Sequence, residues 1–227
     1  MKYVVIGLGR FGSKLATLLT ERGHEVIGVD RHKERVEELK DLLTTVMIMD
    51  STNQKSMESL PLDDIDAVIV AIGEDIGASI LTLTILKSHN VKRVIGRAIN
   101  KIHHDILSQI GTDEIVLPLE DSARDLAAKL QFEHISKLTE ITDDYHIAEV
   151  NLPSRYEGHF LETIDIEGRF GLKLIAIKIS PQGTVIRNII RRNYKVLFDI
   201  TPERTMEMGD ILVIAGHINN IRKFVES

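Results

Sequence analysis

Cysteine and tryptophan are both missing from the 227 residues, proline occurs only five times, and aromatic side chains make up just 4% of the chain. Without thiols there are no disulfides, Cys-type zinc centres, iron–sulfur clusters or cysteine nucleophiles, which fits a reducing compartment. A basic excess is missing too. Lys and Arg number 28 against 34 Asp and Glu, a formal charge of −6, so the electrostatic footprint of a nucleic-acid reader is absent and no nucleic-acid partner is expected. No apolar run is long enough to cross a bilayer, because the most apolar window, 67–86, carries Glu74 and Asp75 mid-span. The short run 3–8 is followed by Arg10 and by no small-residue cleavage site, so no signal peptide is expected. The expected location is the cytoplasm.

What is present is an ordinary globular composition, 43% hydrophobic at a mean hydropathy of zero. Up to about residue 130, short Val/Ile-rich runs alternate with segments of helical period, the pattern of a parallel sheet with crossover helices. Strands are predicted at about 3–6, 25–29, 45–49, 67–71, 93–96 and 114–117. The predicted fold is therefore α/β, a Rossmann-type doubly wound parallel sheet. Leu15, Leu18 and Leu19 stripe the first helix, and Val36, Leu39, Leu42 and Leu43 the second; both stripes are expected in the core. Pro118 fits a first helical turn and opens a long helix to about residue 136. Beyond it the pattern becomes short strands between Pro and Gly turns, at 145–152, 172–179, 195–200 and 210–214, with a helix from about 218. This predicts a small α+β C-terminal domain, so the expected organisation is 1–137 and 138–227. Charge shifts along the chain as well: residues 1–150 carry a net −8 and residues 151–227 a net +2.

Gly7, Gly9 and Gly12 form GLGRFG directly after the first strand and at the mouth of the first helix. That context gives the motif a mechanism. Gly7 permits the tight turn, Gly9 lets backbone approach a pyrophosphate, and Gly12 lets the helix sit close to the sheet with its N-terminus aimed at the anion. Leu8 and Phe11 complete the loop. Asp30 ends the second strand 21 residues after Gly9, where a carboxylate accepts hydrogen bonds from both hydroxyls of an adenosine ribose and repels a 2′-phosphate. Arg31 follows it. The same carboxyl edge continues through Asp50, Ser51 and Thr52, through Ile72, Gly73 and Glu74, and to Arg97. Their claim to a binding role is position alone, since helix caps and solvated loops use the same residue types. Arg10 places a fixed cation inside the phosphate loop, suited to phosphate oxygens.

Catalytic signatures are scarce. None of Tyr3, Tyr145, Tyr156 and Tyr194 has Lys four residues on, and HExxH and GxSxG are absent. No catalytic residue is assigned, and no metal ligand. His103 and His104 are adjacent, diverge on a helix, and are expected as a surface pair. A divalent cation bridging phosphates has two candidate positions, the loop Glu74 to Gly77 and the pair Glu120 and Asp121.

The segments VVIGLGRFG, EVIGVD, VIVAIGEDIGASILTL and GRAINKIHHDILSQIGTDEIVLP, followed by LKLIAIKI and PERTMEMGDILVIAG, resemble the RCK (TrkA/KtrA-type) regulatory subunits of potassium uptake systems over nearly the whole chain. The resemblance implies an RCK N-terminal domain and a TrkA-C-like domain. It also implies a non-enzymatic, cytosolic sensor of ATP, ADP or NAD(H), built of dimers assembling into a tetramer or octameric ring. Its partner would be a membrane potassium-translocating subunit of the Trk/Ktr type, which holds it at the inner face of the membrane. Arg10 would then look toward nucleotide phosphates, including across a dimer, and the helix from Leu119 would carry the C-terminal domain to a partner protomer. This chain departs from the pattern with Leu119 straight after Pro118, where KtrA-like relatives have an acid; Glu120 comes one place later. Some TrkA-C domains bind cyclic di-AMP, but here the stretch Glu167 to Gly171 aligns ambiguously and 188–195 reads as an insertion. Two other readings are a small NAD(H)-dependent oxidoreductase and a regulatory module of another cation transporter.

Overall fold

A computed structural model describes residues 1–89, 91–131, 134–179 and 194–226. The chain divides into two compact units, Met1–Asp121 and Ser122–Ser227.

The first unit is built on six strands: β1 (Lys2–Ile6), β2 (Glu25–Asp30), β3 (Thr45–Ile48), β4 (Ala67–Val70), β5 (Val94–Arg97) and β6 (Glu114–Val116). They pair in parallel in the order β3-β2-β1-β4-β5-β6, the doubly wound topology expected. β4 is buried at all four residues, which explains its unbroken AVIV: with both faces covered there is no solvent side to alternate toward. One face packs Val4, Ile6, Val68, Val70, Leu83 and Leu107 into a core. The other packs Val5, Val26, Ile69, Ala16 and Leu39. The strand order reverses beside β1, so the loops after β1 and β4 diverge there and open a crevice at the carboxyl ends of the strands.

The crossovers are α1 (Arg10–Glu21), α2 (Lys33–Glu37), α3 (Gln54–Met57), α4 (Ile76–Ser88) and α5 (Lys101–Ile110). Side chains of Asn53, Asp75 and Asn100 cap α3, α4 and α5, accepting from the amides of Ser56, Ala78 and His103. Gly111, at φ +83°, closes α5 in the left-handed conformation that glycine adopts without a Cβ penalty.

The second unit holds an antiparallel sheet of β7 (Ile135–Glu140), β8 (Tyr145–Asn151), β9 (Lys173–Ile179), β10 (Lys195–Leu197) and β11 (Ile211–His217), ordered β10-β9-β11-β8-β7. Short helices α7 (Leu161–Ile164) and α8 (Ile166–Phe170) precede β9, and α9 (Ile218–Glu226) follows β11. Its core gathers on Phe224, which stacks on Tyr156 at 5.4 Å between centroids and meets Phe170 edge-on at 5.2 Å. No helix among the described residues is long and apolar enough to cross a membrane.

Several expectations are corrected. The long helix, α6, spans Pro118–Gln131 rather than reaching residue 136, and residues 135–140 form a strand. The cause is a register shift between Ile135 and Lys137. It puts Ile135 and Leu138, three residues apart, into the same core, so the two-residue alternation that marks a strand is broken at its start. The second helix is only five residues long; Val36, Leu39 and Leu43 of its predicted stripe are in the core as expected, whereas Leu42 is 51% exposed. In α1 the fully buried line is Gly12 and Ala16; Leu15 and Leu19 are half-buried but pack against that core as expected. β10 stops at Leu197, and the insertion read at 188–195 lies largely outside the described residues. His103 is not on the surface: it is 1% exposed, with no hydrogen-bond partner for either ring nitrogen among the described residues. Burial pushes its imidazole below the ordinary value, so it is carried neutral.

Phe224→Ala should destabilise the second unit by about 3–5 kcal/mol. Chemical denaturation followed by tyrosine fluorescence and circular dichroism would read this as a loss confined to one of two transitions.

Candidate nucleotide-binding site

The site begins with a close approach. A Cβ built on Gly12 would lie 1.9 Å from the carbonyl oxygen of Gly7 and 3.0 Å from the Ala71 side chain. Only glycine lets the first turn of α1 come this near the end of β1. Gly7 itself sits at φ +94°, wedged against Ile72, with its amide donating to the Val29 carbonyl at 2.7 Å. Gly9 is the N-cap of α1, and no side chain caps that helix. A helix N-terminus leaves its first amides without partners inside the helix. Those of α1, with its dipole, point into the crevice, an arrangement suited to a phosphate.

Asp30 forms the second wall. It is 6% exposed; Oδ2 accepts from the Leu8 amide at 2.7 Å, and Oδ1 from the His32 amide at 2.8 Å. Two side chains complete its surroundings, His32 Nδ1 at 2.9 Å from Oδ1 and Arg35 Nη1 at 3.5 Å from Oδ2. Burial pushes the carboxyl up, but the hydrogen bonds from His32 and Leu8 and the nearby charge of Arg35 outweigh it and hold Asp30 below its ordinary value. The acid is therefore ionised at neutral pH. Since an ionised carboxylate only accepts, the His32 ring must donate from Nδ1.

The remaining predicted residues fall into three groups. Around the glycine loop, Arg97 at the end of β5 lies over the Phe11 ring at 5.4 Å, and its Nη1 is 3.5 Å from the Ala71 carbonyl. A Cβ on Gly73 would meet this guanidinium at 2.6 Å, so the loop after β4 is shaped around it. Across the crevice mouth, Glu74 accepts from Arg35 Nη2 at 3.4 Å, and Arg31 pairs with Asp75 at 3.6 Å. After β3, Asp50 accepts from the amide and hydroxyl of Thr52 at 2.9 and 2.7 Å. These bonds, together with the charge of Arg31, keep its carboxyl below the ordinary value. Ser51 turns inward instead, its buried hydroxyl 2.8 Å from that of Thr82 on α4. Leu8 is buried and Arg10 exposed at the first turn of α1. Among the described residues, no carboxylate pairs with Arg10.

His32 and Arg35 were not read from the sequence as site residues. Their signal was there in DRHKER, a histidine and an arginine two and five places after the acid and so within reach of it. Among the described residues no three His, Asp or Glu side chains gather as a metal site.

Comparison with known proteins agrees with this geometry. Residues 3–118 match the family model of the TrkA-N domain. The chain is 33% identical over 223 residues to "Ktr system potassium uptake protein C" of Bacillus subtilis (strain 168), covering 98% of this chain and 95% of that protein. It is 30% identical to "Ktr system potassium uptake protein A" of the same organism, with the same coverage. Among solved structures, the GsuK RCK domain superposes with a TM-score of 0.65 at 18% identity over 99% of this chain. This chain spans about half of that one, 47%. At that identity the likeness speaks for the fold alone.

Because Asp30 titrates lower when folded than when unfolded, its contribution to stability is present above the unfolded value of about 3.9 and is lost as pH falls through the lower folded value. Chemical denaturation from pH 6 to pH 2.5 should show this loss in the wild type and a shallower one in Asp30→Asn.

Proposed function

Since the chain belongs to the TrkA-N domain family, as its match and its near-full-length likeness to the Ktr potassium uptake proteins establish, we propose that it is a nucleotide-sensing regulatory subunit of a potassium uptake system. The observation that carries this reading is the glycine cradle joined to the buried, ionised Asp30 by the Leu8 amide. The cradle takes the phosphates, and Asp30 takes the ribose of an adenine nucleotide, ATP, ADP or NAD(H). The roles of Gly7 to Gly12, Asp30, Arg31, Asp50 to Thr52, Ile72 to Glu74 and Arg97 follow from their place on this rim. The nucleotide is held as a signal and is not turned over.

In this reading the partner is a separate membrane potassium-translocating subunit of the Trk/Ktr type, and the protein sits on the cytoplasmic side of the membrane through it. It works as a homo-oligomer of dimers in a ring, with residues 1–137 as the nucleotide domain and 138–227 as the regulatory domain. A ligand that prefers one ring conformation shifts the population of rings and so gates the partner. A tenfold shift needs about 1.4 kcal/mol of differential affinity, and one charge-assisted hydrogen bond supplies about 1.5–3 kcal/mol. Exposed Arg10 provides such a bond to the terminal phosphates. A divalent cation beside Glu120 would add to the same preference.

Calorimetric titration with ATP, ADP and NADH should find Asp30→Ala weakened for all three by about tenfold or more, whereas Arg10→Ala loses mainly the distinction between ATP and ADP. Equal losses in both variants would contradict the role given to Arg10. In cells lacking their own potassium uptake regulator, co-expression with a Ktr membrane subunit should restore uptake for the wild type and not for Asp30→Ala.

A further inference from the structure

Resting on the nucleotide reading above, we infer that His32 and Arg35 hold the two positions on Asp30 that the ribose hydroxyls of a bound nucleotide take. An adenosine ligand then binds by displacing two of the protein's own side chains. An ionised carboxylate offers about four acceptor positions, and Asp30 has four donors, two on each oxygen: the His32 amide and ring on Oδ1, the Leu8 amide and Arg35 on Oδ2. Nothing is left over for a vicinal diol, which brings two donors of its own.

The four donors are not equally replaceable. The Leu8 amide belongs to the glycine loop and the His32 amide to the turn after β2, so neither leaves without undoing the cradle. The two side chains stand at the solvent side, His32 43% and Arg35 35% exposed, and each touches a different oxygen. Arg35 is held loosely, by single contacts of 3.5 Å to Asp30 and 3.4 Å to Glu74 rather than a bidentate pair. Its Nη1 is also 3.9 Å from where a Cβ on Gly9 would lie, so it overhangs the loop a phosphate would approach. Released from Asp30, it keeps Glu74 within reach. Occupancy of the ribose position is thereby linked to the contact between α2 and the loop after β4. The exchange costs only ligands carrying both hydroxyls, because one lacking them leaves His32 and Arg35 in place.

The test compares ADP with 2′,3′-dideoxy-ADP by calorimetry on the full chain at pH 8, for the wild type and for His32→Ala/Arg35→Ala. Loss of a cation near the phosphates affects both ligands alike and cancels in the ratio of their affinities. That ratio, in favour of ADP, should rise about threefold or more in the double variant. Arg35→Ala alone, altered only at a solvent-facing side chain, should raise it in the same direction by less. A ratio that is unchanged or lower in both variants overturns the displacement while leaving nucleotide binding standing. A wild type that binds neither compound overturns the nucleotide reading and this inference with it.

Discussion

The approach of α1 to the end of β1 is the constraint on which the rest of the first unit depends. With the Gly7 carbonyl 1.9 Å from where any Cβ at position 12 would lie, one methyl group at that position would push the helix off the sheet. Moving the helix would turn its N-terminal amides away from the crevice. It would also draw the Leu8 amide out of the 2.7 Å bond to Asp30, and so detach the phosphate cradle from the ribose acid. Backbone packing thus sets the position of the dipole and supplies one of the hydrogen bonds that, with those from His32, hold the carboxylate below its ordinary value.

The charges around the crevice extend that link outward. Asp30 is tied to α2 through Arg35, α2 to the loop after β4 through Glu74, and the turn after β2 to the start of α4 through Arg31 and Asp75. The outer two pairs are exposed at one partner or both, and Arg35 reaches Asp30 by a single 3.5 Å contact, so each is worth little in stability. Their value lies in being exchangeable. A ligand that takes over one carboxylate frees a cation that other carboxylates can hold, and contacts of this kind give two states similar enough in free energy for a small molecule to choose between them.

How much was legible in the sequence follows from what each pattern encodes. Val/Ile runs bounded by Gly, Asp and Asn reveal parallel strands because burial on both faces removes alternation, as in β4, and strands stand at all six expected places. GLGRFG and Asp30 were legible because backbone geometry itself demands those residue types. Residues 135 and 136 were misread as the end of the helix that starts at Pro118, and the strand continuing to 140 was not read, because the register shift beside Ile135 breaks the alternation that would have marked it. His103 was misplaced because a neighbouring histidine suggested a polar face, while its depth is set by α5 packing against α4, which composition does not report. His32 and Arg35 escaped notice because their role arises from where the turn after β2 aims them, not from their spacing along a motif.

The central claim is that an adenine nucleotide is held in the glycine cradle and left chemically unchanged. Phosphorus NMR of ATP, ADP and NADH, each mixed with the purified protein and followed for a day, addresses binding and turnover in one sample. The account predicts shifted or broadened phosphate resonances for the bound fraction and no new product signals. Unperturbed resonances, or steady growth of inorganic phosphate or of a cleaved nucleotide, would contradict it.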